Sequence, residues 1–306
     1  MTNQAQDDVG PGSIMTRPTI VLALASISII GYLLLLKALV DHGIYSAGGE
    51  GAGDTFAYWV AGNNVRMDLP VYSAGVGGYA AFLYPPVLAQ LMAPLSVLPF
   101  PLVVWLWRAA ELVCLRIAVG SWRNGGLALL LWPPLIAEID AGNVHLMIAA
   151  AVAMAIRGDG RAIIPVALTK FASLAAVPMA WRIDRRGVLL GGLAAVAIVA
   201  VSFALEPGLW WAYVEFLPKV PRMDSAPYNI GAGIPLILRL SAAALFAVLA
   251  VRWRVLSALA ATLALPVLWF HGLSVLVAVA PALGQVSKRI HGMVSTRRGL
   301  RPSLPT

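Results

Sequence analysis

The chain is 306 residues long, 60% apolar and only 12% charged, whereas soluble domains run at about 45–50% apolar and about 25% charged. That composition excludes an ordinary water-soluble fold, and several runs approach the roughly 20 residues needed to cross a bilayer. The net charge of +8 could suit nucleic acid, but the excess lies in short loops and the tail, with no zinc-knuckle or aromatic RNA-binding pattern; it fits positive-inside membrane topology and excludes nucleic acid as a partner.

Residues 1–18 read as a disordered cytoplasmic leader, and the apolar run 19–40 as a retained membrane helix rather than a cleaved signal. Lys37, near the outer end of that run, must snorkel. Residues 41–83 form an external loop. It opens on the glycine-rich DHGIYSAGGEGAGD and continues in FAYWVAGNNVRM, whose three-to-four spacing of bulky groups predicts an interfacial helix. After Tyr84, Pro85 and Pro86 begin a run broken again by Pro94, Pro99 and Pro101. Such a segment predicts a short helix dipping into the outer leaflet.

Charge parity agrees with a dip. If 85–100 crossed, Arg116 and Arg123 would fall outside; if it dips, helix 101–119 runs inward and both are cytoplasmic. Within that helix Arg108 and Glu111 stand at i,i+3 and are expected to pair. Cys114, the single cysteine, excludes an internal disulfide and reads as a small packed hydrophobe. Helix 127–139 then runs outward to deliver Glu138, Asp140 and Asn143, and helix 144–157 returns to the basic RGDGR.

The run 162–181 has basic residues at both ends, Arg161 and then RIDRR. Two inside ends predict a turn back at Thr169-Lys170, with Pro165 and Pro178 near the breaks; one unbroken helix that violates the charge rule is the alternative. Helix 188–205 goes out to a second external loop, 206–231, with tryptophans and Tyr213 at headgroup level, and helix 232–250 comes in to RWR. The run 255–285 predicts two short helices meeting outside near His271, followed by a basic cytoplasmic tail, 287–306. The fold class is therefore an all-α polytopic integral membrane protein with one transmembrane domain, 19–286, of about 9–11 membrane-embedded helices, some of them broken or re-entrant.

Three polar features fall on the outer side of this topology. Asp54 can stay ionised at the membrane surface and take a proton from a hydroxyl, or be an ordinary solvated loop carboxylate. Lys170, isolated among apolar residues, must find a partner or water, because burying its charge in lipid costs about 2.5–3.5 kcal/mol. A lipid phosphate is one such partner; snorkelling or an intramembrane ion pair are others. His271 with Trp269, and His145 with Asn143, can bond a phosphate or a sugar hydroxyl, or be satisfied structural residues. No GxxxxGK[ST], HExxH or CxxC occurs, so the sequence shows neither a nucleotide-binding loop nor a cluster of metal ligands, and nothing in it requires a metal.

The order of LPVY, FLYPP, APLSVLP, AGNVHL, TKFASLAAVP, GLWWAY, PYN and LWFHG resembles family 87 of the glycosyltransferases, membrane enzymes of the GT-C superfamily. It is similar to mannosyltransferases that depend on polyprenyl-phosphate-mannose. The resemblance implies a GT-C-like fold in the cell membrane, termini in the cytoplasm and a site facing the periplasm or exterior. It implies an inverting transfer of a hexose, mannose first, from a polyprenyl-phosphate donor to a glycolipid or glycan hydroxyl, with no cofactor. Asp54 takes the role of general base, with Tyr58 beside it. Lys170 and His271 bind the donor phosphate. Tyr84, Pro85, Pro86, Asn143, His145, Tyr228, Asn229 and Trp269 line the substrate cavity. Ala141 stands where relatives carry glutamine, and Phe171 where they carry proline. A lipid-linked sugar flippase, or a non-catalytic membrane partner of glycan assembly, is the alternative function.

Overall fold

The computed structural model describes residues 52–72, 81–220 and 229–280, together with Ser26, Ile29, Ile30 and Leu33 of the first apolar run, all four of them helical. The leader, most of the run 19–40 with Lys37, the start of the first external loop, Tyr228 and the basic tail lie outside the described residues. No named strand occurs among the described residues, which are arranged as α-helices and short 3-10 segments.

Helix α1 (Gly53–Arg66) covers the stretch expected to be helical. It starts from Ala52 in the left-handed region (φ 58°), whose N–H donates to Asp140 O at 2.6 Å. That bond anchors the first turn of α1, and with it Asp54, to the far end of α5. The double proline explains α2 (Pro86–Met92): Pro85 caps it and Pro86 is its first residue, where a fixed φ and a missing N–H cost nothing. At seven residues, α2 is roughly 10 Å long and far too short to span. It packs on α1 at Gly62, where a Cβ would meet the Met92 carbonyl carbon at 2.5 Å.

Next come a 3-10 turn (Leu95–Val97) and α3 (Phe100–Val119), then α4 (Trp122–Leu131) and α5 (Pro134–Ala141). The single helix expected over 127–139 is thus two, because Pro133 and Pro134 interrupt the backbone ladder between them. The pairing expected inside α3 is also corrected. Arg108 reaches across to α5, 3.6 Å from Asp140 and bonded to Ile139 O, while both carboxylate oxygens of Glu111 are buried without a hydrogen-bond partner. The i,i+3 rule compares only neighbours on one helix, and here a carboxylate on another helix lies nearer.

Helix α6 (His145–Arg157) is the hub of the larger core, buried along nearly its whole length against α3 and the last 3-10 segment. Its alanines 149, 150, 151, 153 and 155 are all buried and let neighbouring backbones come close. The segment 162–181 is broken as expected. Helix α7 (Ile163–Ala167) ends before Thr169, Lys170 is extended (φ −146°, ψ 130°), and a 3-10 stretch (Phe171–Ala176) leads into α8 (Val177–Ile183).

Helix α9 (Arg185–Leu205) is, among the described residues, the one helix long and apolar enough to cross a membrane, at mean hydropathy 2.6. Residues 207–216, expected as external loop, form α10 (Pro207–Phe216), and another 3-10 turn (Leu217–Lys219) follows. After α11 (Leu236–Ala250) and α12 (Leu256–Leu263), a non-helical turn precedes the 3-10 segment Phe270–Val279, so the expected break falls just ahead of His271.

Candidate active site

The turn between α5 and α6 gathers the site. Gly142 ends α5 in the left-handed region (φ 66°), which a Cβ would resist; a Cβ there would also collide with Thr55 Oγ1. Thr55 instead donates to Gly142 O at 3.1 Å. This contact and the Ala52–Asp140 bond fasten α1 against the turn, and Asn143 comes to face Asp54.

Asn143 is the centre of the network and is almost wholly buried. Its Nδ2 donates to Asp54 Oδ2 at 2.6 Å and lies 3.5 Å from His271 Nε2. Its Oδ1 accepts from Lys170 Nζ at 2.8 Å and from the Val144 N–H at 2.7 Å. Trp107 Nε1 donates to the Asn143 carbonyl at 3.3 Å and fixes its backbone. One carboxamide thus stands between the half-buried Asp54 carboxylate and the Lys170 ammonium, bonded to both.

Tyrosines close the other side. Tyr58 donates to Tyr84 Oη at 2.9 Å, and Tyr84 Oη lies 3.5 Å from Asp54 Oδ1 and 3.3 Å from Asn143 Oδ1. Its single proton can serve one of these acceptors at a time, so Oδ1 is the less engaged oxygen of Asp54. The Tyr84 ring also faces Lys170 Nζ, 5.3 Å from the ring centroid. Tyr72 donates to Tyr84 O at 2.7 Å, and Pro85 and Pro86 follow directly. The prolines fix where Tyr84 enters the site. On α1, burial raises the Asp54 carboxyl above the ordinary aspartate range, opposed by Lys170 and by the Asn143 hydrogen bond.

The third wall carries the histidines. His145 Nε2 lies 3.0 Å from Lys170 Nζ, and its Nδ1 lies 2.8 Å from Glu138 Oε2. Glu138 Oε1 accepts the His145 backbone N–H at 2.7 Å. The His145 and His271 rings are 5.2 Å apart, and Trp269 stacks on His271 at 6.1 Å with planes 9° apart. Asn229 is held by an isolated antiparallel bridge to Trp269.

Asp54, Tyr58, Tyr84, Asn143, His145, Lys170 and His271 are therefore brought together, with Trp269 and Asn229 flanking. Glu138 was read from the sequence only as a charge carried to the outer side. No spacing rule marks it, since a helix end and a glycine turn separate it from His145.

Glu138, His145 and His271 offer ligand atoms within 4.8 Å of one another, a spacing that a metal ion could use. The Lys170 ammonium beside His145 Nε2 already supplies a positive charge at that spot, and a divalent cation would meet it at close range.

The family model for glycosyltransferase family 87 matches residues 82–287. That stretch includes Tyr84, Glu138, Asn143, His145, Lys170 and His271, while Asp54 and Tyr58 precede it. No curated protein and no solved structure matches the chain.

Proposed function

From the premise that this chain belongs to glycosyltransferase family 87, we propose that it moves a hexose, mannose first, from a polyprenyl-phosphate carrier to a hydroxyl of a glycolipid or glycan at the outer face of the cell membrane. Membership implies glycosyl transfer from a sugar donor to an acceptor. The finer reading rests on one observation: a carboxylate and an ammonium are held on opposite sides of Asn143, each within hydrogen-bonding distance of it.

The acceptor hydroxyl attacks C1 of the donor sugar while Asp54 takes its proton. A new C1–O bond forms, the bond from C1 to the carrier phosphate breaks, and the bonding pair leaves with the phosphate. Attack opposite the leaving group inverts the anomeric carbon. Oδ1 of Asp54, only loosely approached by Tyr84, is the oxygen free to receive the proton. The leaving phosphate gains negative charge, which Lys170 is placed to balance, with His271 as a second donor. Preorganised charges of this sort often supply the largest share of a rate enhancement.

A membrane setting agrees with the surface. Helix α9 exposes Leu193, Val196, Val201 and Leu205, and α11 exposes Ile237, Leu238 and Val248, large apolar side chains of the kind that lipid would cover. In the proposed topology the domain spans 19–286 with the external loops 41–83 and 206–231, both termini are cytoplasmic, and Asp54 faces out. The break at Lys170 also suits a flippase, since interrupted helices line transport cavities.

The experiment uses purified protein in liposomes with radiolabelled polyprenyl-phosphate-mannose and a membrane lipid extract as acceptor. Label appearing in a new glycolipid, with free polyprenyl phosphate released, supports the reading. Label that crosses the bilayer still attached to its carrier supports the flippase. Transfer from nucleotide sugars alone rejects the donor.

A further inference from the structure

We propose that Glu138 is a positioning residue for this transfer: it fixes the tautomer of His145 so that the ring's Nε2 lone pair holds the Lys170 ammonium against Asn143. The inference rests on the transferase reading and adds a role for a carboxylate that does not reach the substrate.

The geometry constrains the protons closely. Glu138 is fully buried and turns both oxygens to the start of α6, Oε1 to the His145 backbone N–H and Oε2 to the ring Nδ1, with the Leu146 backbone N–H also bonded to the carboxylate. The group 3.0 Å from Nε2 is Lys170 Nζ, which has only donors, so Nε2 offers its lone pair. The single proton of the neutral ring then sits on Nδ1, where Glu138 Oε2 at 2.8 Å accepts it. With the opposite tautomer, two N–H donors would face each other. Lys170 is thereby held from two sides, by His145 Nε2 and by Asn143 Oδ1 at 2.8 Å.

Glu138→Gln tests this sharply. The backbone N–H of His145 can only donate, so the new side-chain oxygen must serve it. The new amide NH2 then points at Nδ1, which can satisfy it only by giving up its proton. The ring proton moves to Nε2, and the contact with Lys170 is lost although the side chain keeps its size. An amide in place of a carboxylate that orients a histidine can cost up to about 10⁴-fold in kcat through the wrong tautomer.

The measurement combines nitrogen-15 spectra of histidine-labelled protein, with the His145 signal identified by its absence in His145→Gln, and transferase kinetics of the full chain. In native protein the His145 proton should be on Nδ1. In Glu138→Gln it should be on Nε2, with kcat lower by about 10²-fold and donor KM within about threefold, as expected when a preorganised charge is misplaced. The double variant E138Q/H145Q should be no slower than H145Q alone, because the carboxylate acts only through the ring. A native tautomer protonated on Nε2, an unchanged tautomer in Glu138→Gln, or losses that multiply in the double variant would overturn the proposal. If Glu138→Gln does not fold, the native tautomer alone decides. If the native protein transfers no sugar, the transferase reading fails, while the tautomer still tests the role of Glu138.

Discussion

Replacing Asp54 by asparagine removes the proposed base with almost no change in shape. Asn143 Nδ2 now sits 2.6 Å from Asp54 Oδ2, and the amide oxygen of the replacement can accept the same bond. The amide nitrogen then faces Tyr84 Oη, 3.5 Å from the present Oδ1, and a phenol can accept as well as donate. The network therefore closes again, and the expected stability change is within about 1 kcal/mol, the scale of one exchanged hydrogen bond. Catalysis should not survive so well. A positioned general base contributes about 10²–10⁴-fold, which is about 3–5 kcal/mol of barrier at 1.36 kcal/mol per decade. The assay is single-turnover transfer of labelled sugar from the lipid-linked donor, beside a donor-binding measurement. Binding should stay within a few-fold of native while transfer falls by at least about 10²-fold. The pH dependence carries a sign. Asp54 must be ionised to act, and burial lifts its carboxyl above the ordinary aspartate range. Native activity should therefore fall on acidification at a pH higher than a solvated aspartate would set, and that acid limb should vanish from residual activity in the variant. A variant that keeps more than about a third of native transfer, or the same acid limb, would refute Asp54 as the base.

Lys170→Met leaves Asn143 Oδ1 and His145 Nε2 without their shared donor. Transfer should drop about 10²–10³-fold and stability by about 1–3 kcal/mol, read by kinetics and by thermal unfolding in detergent. Gly142→Ala demands a left-handed alanine, costing about 1–2 kcal/mol, and drives a methyl into Thr55 Oγ1. It should lift α1 off the turn and abolish transfer, while a mutation to alanine at exposed Leu193 leaves activity within about twofold. In a Cys114→Ser background, Asp68→Cys should react with a membrane-impermeant thiol reagent on intact cells, whereas Arg123→Cys should react only after lysis; both positions are exposed. The reverse pattern would invert the proposed topology.

The breaks in the chain were legible because proline announces them. Pro85-Pro86 starts a short helix, and the basic residues on both sides of 162–181 predicted an interruption at Lys170. The same proline logic, not applied to Pro133-Pro134, would have split α4 from α5. Asp54, Lys170 and His271 stood out as lone polar groups in apolar or glycine-rich surroundings, and the structure joins them through Asn143. Glu138 was not legible as part of the site. Its partner lies beyond a helix end and a left-handed glycine, and only the folded turn brings the carboxylate back to the histidine ring. Arg108 misled for the opposite reason: a tidy partner at i,i+3 hid a nearer one on α5.

The stretch from 138 to 145 holds the orienting carboxylate, the carboxamide at the centre and the imidazole in one tight corner, pinned from outside by Thr55 and Trp107. Its length is therefore as consequential as its composition. Adding or deleting a single residue there would rotate each of these groups off its target together, so this corner can bear an exchanged side chain more easily than a changed register.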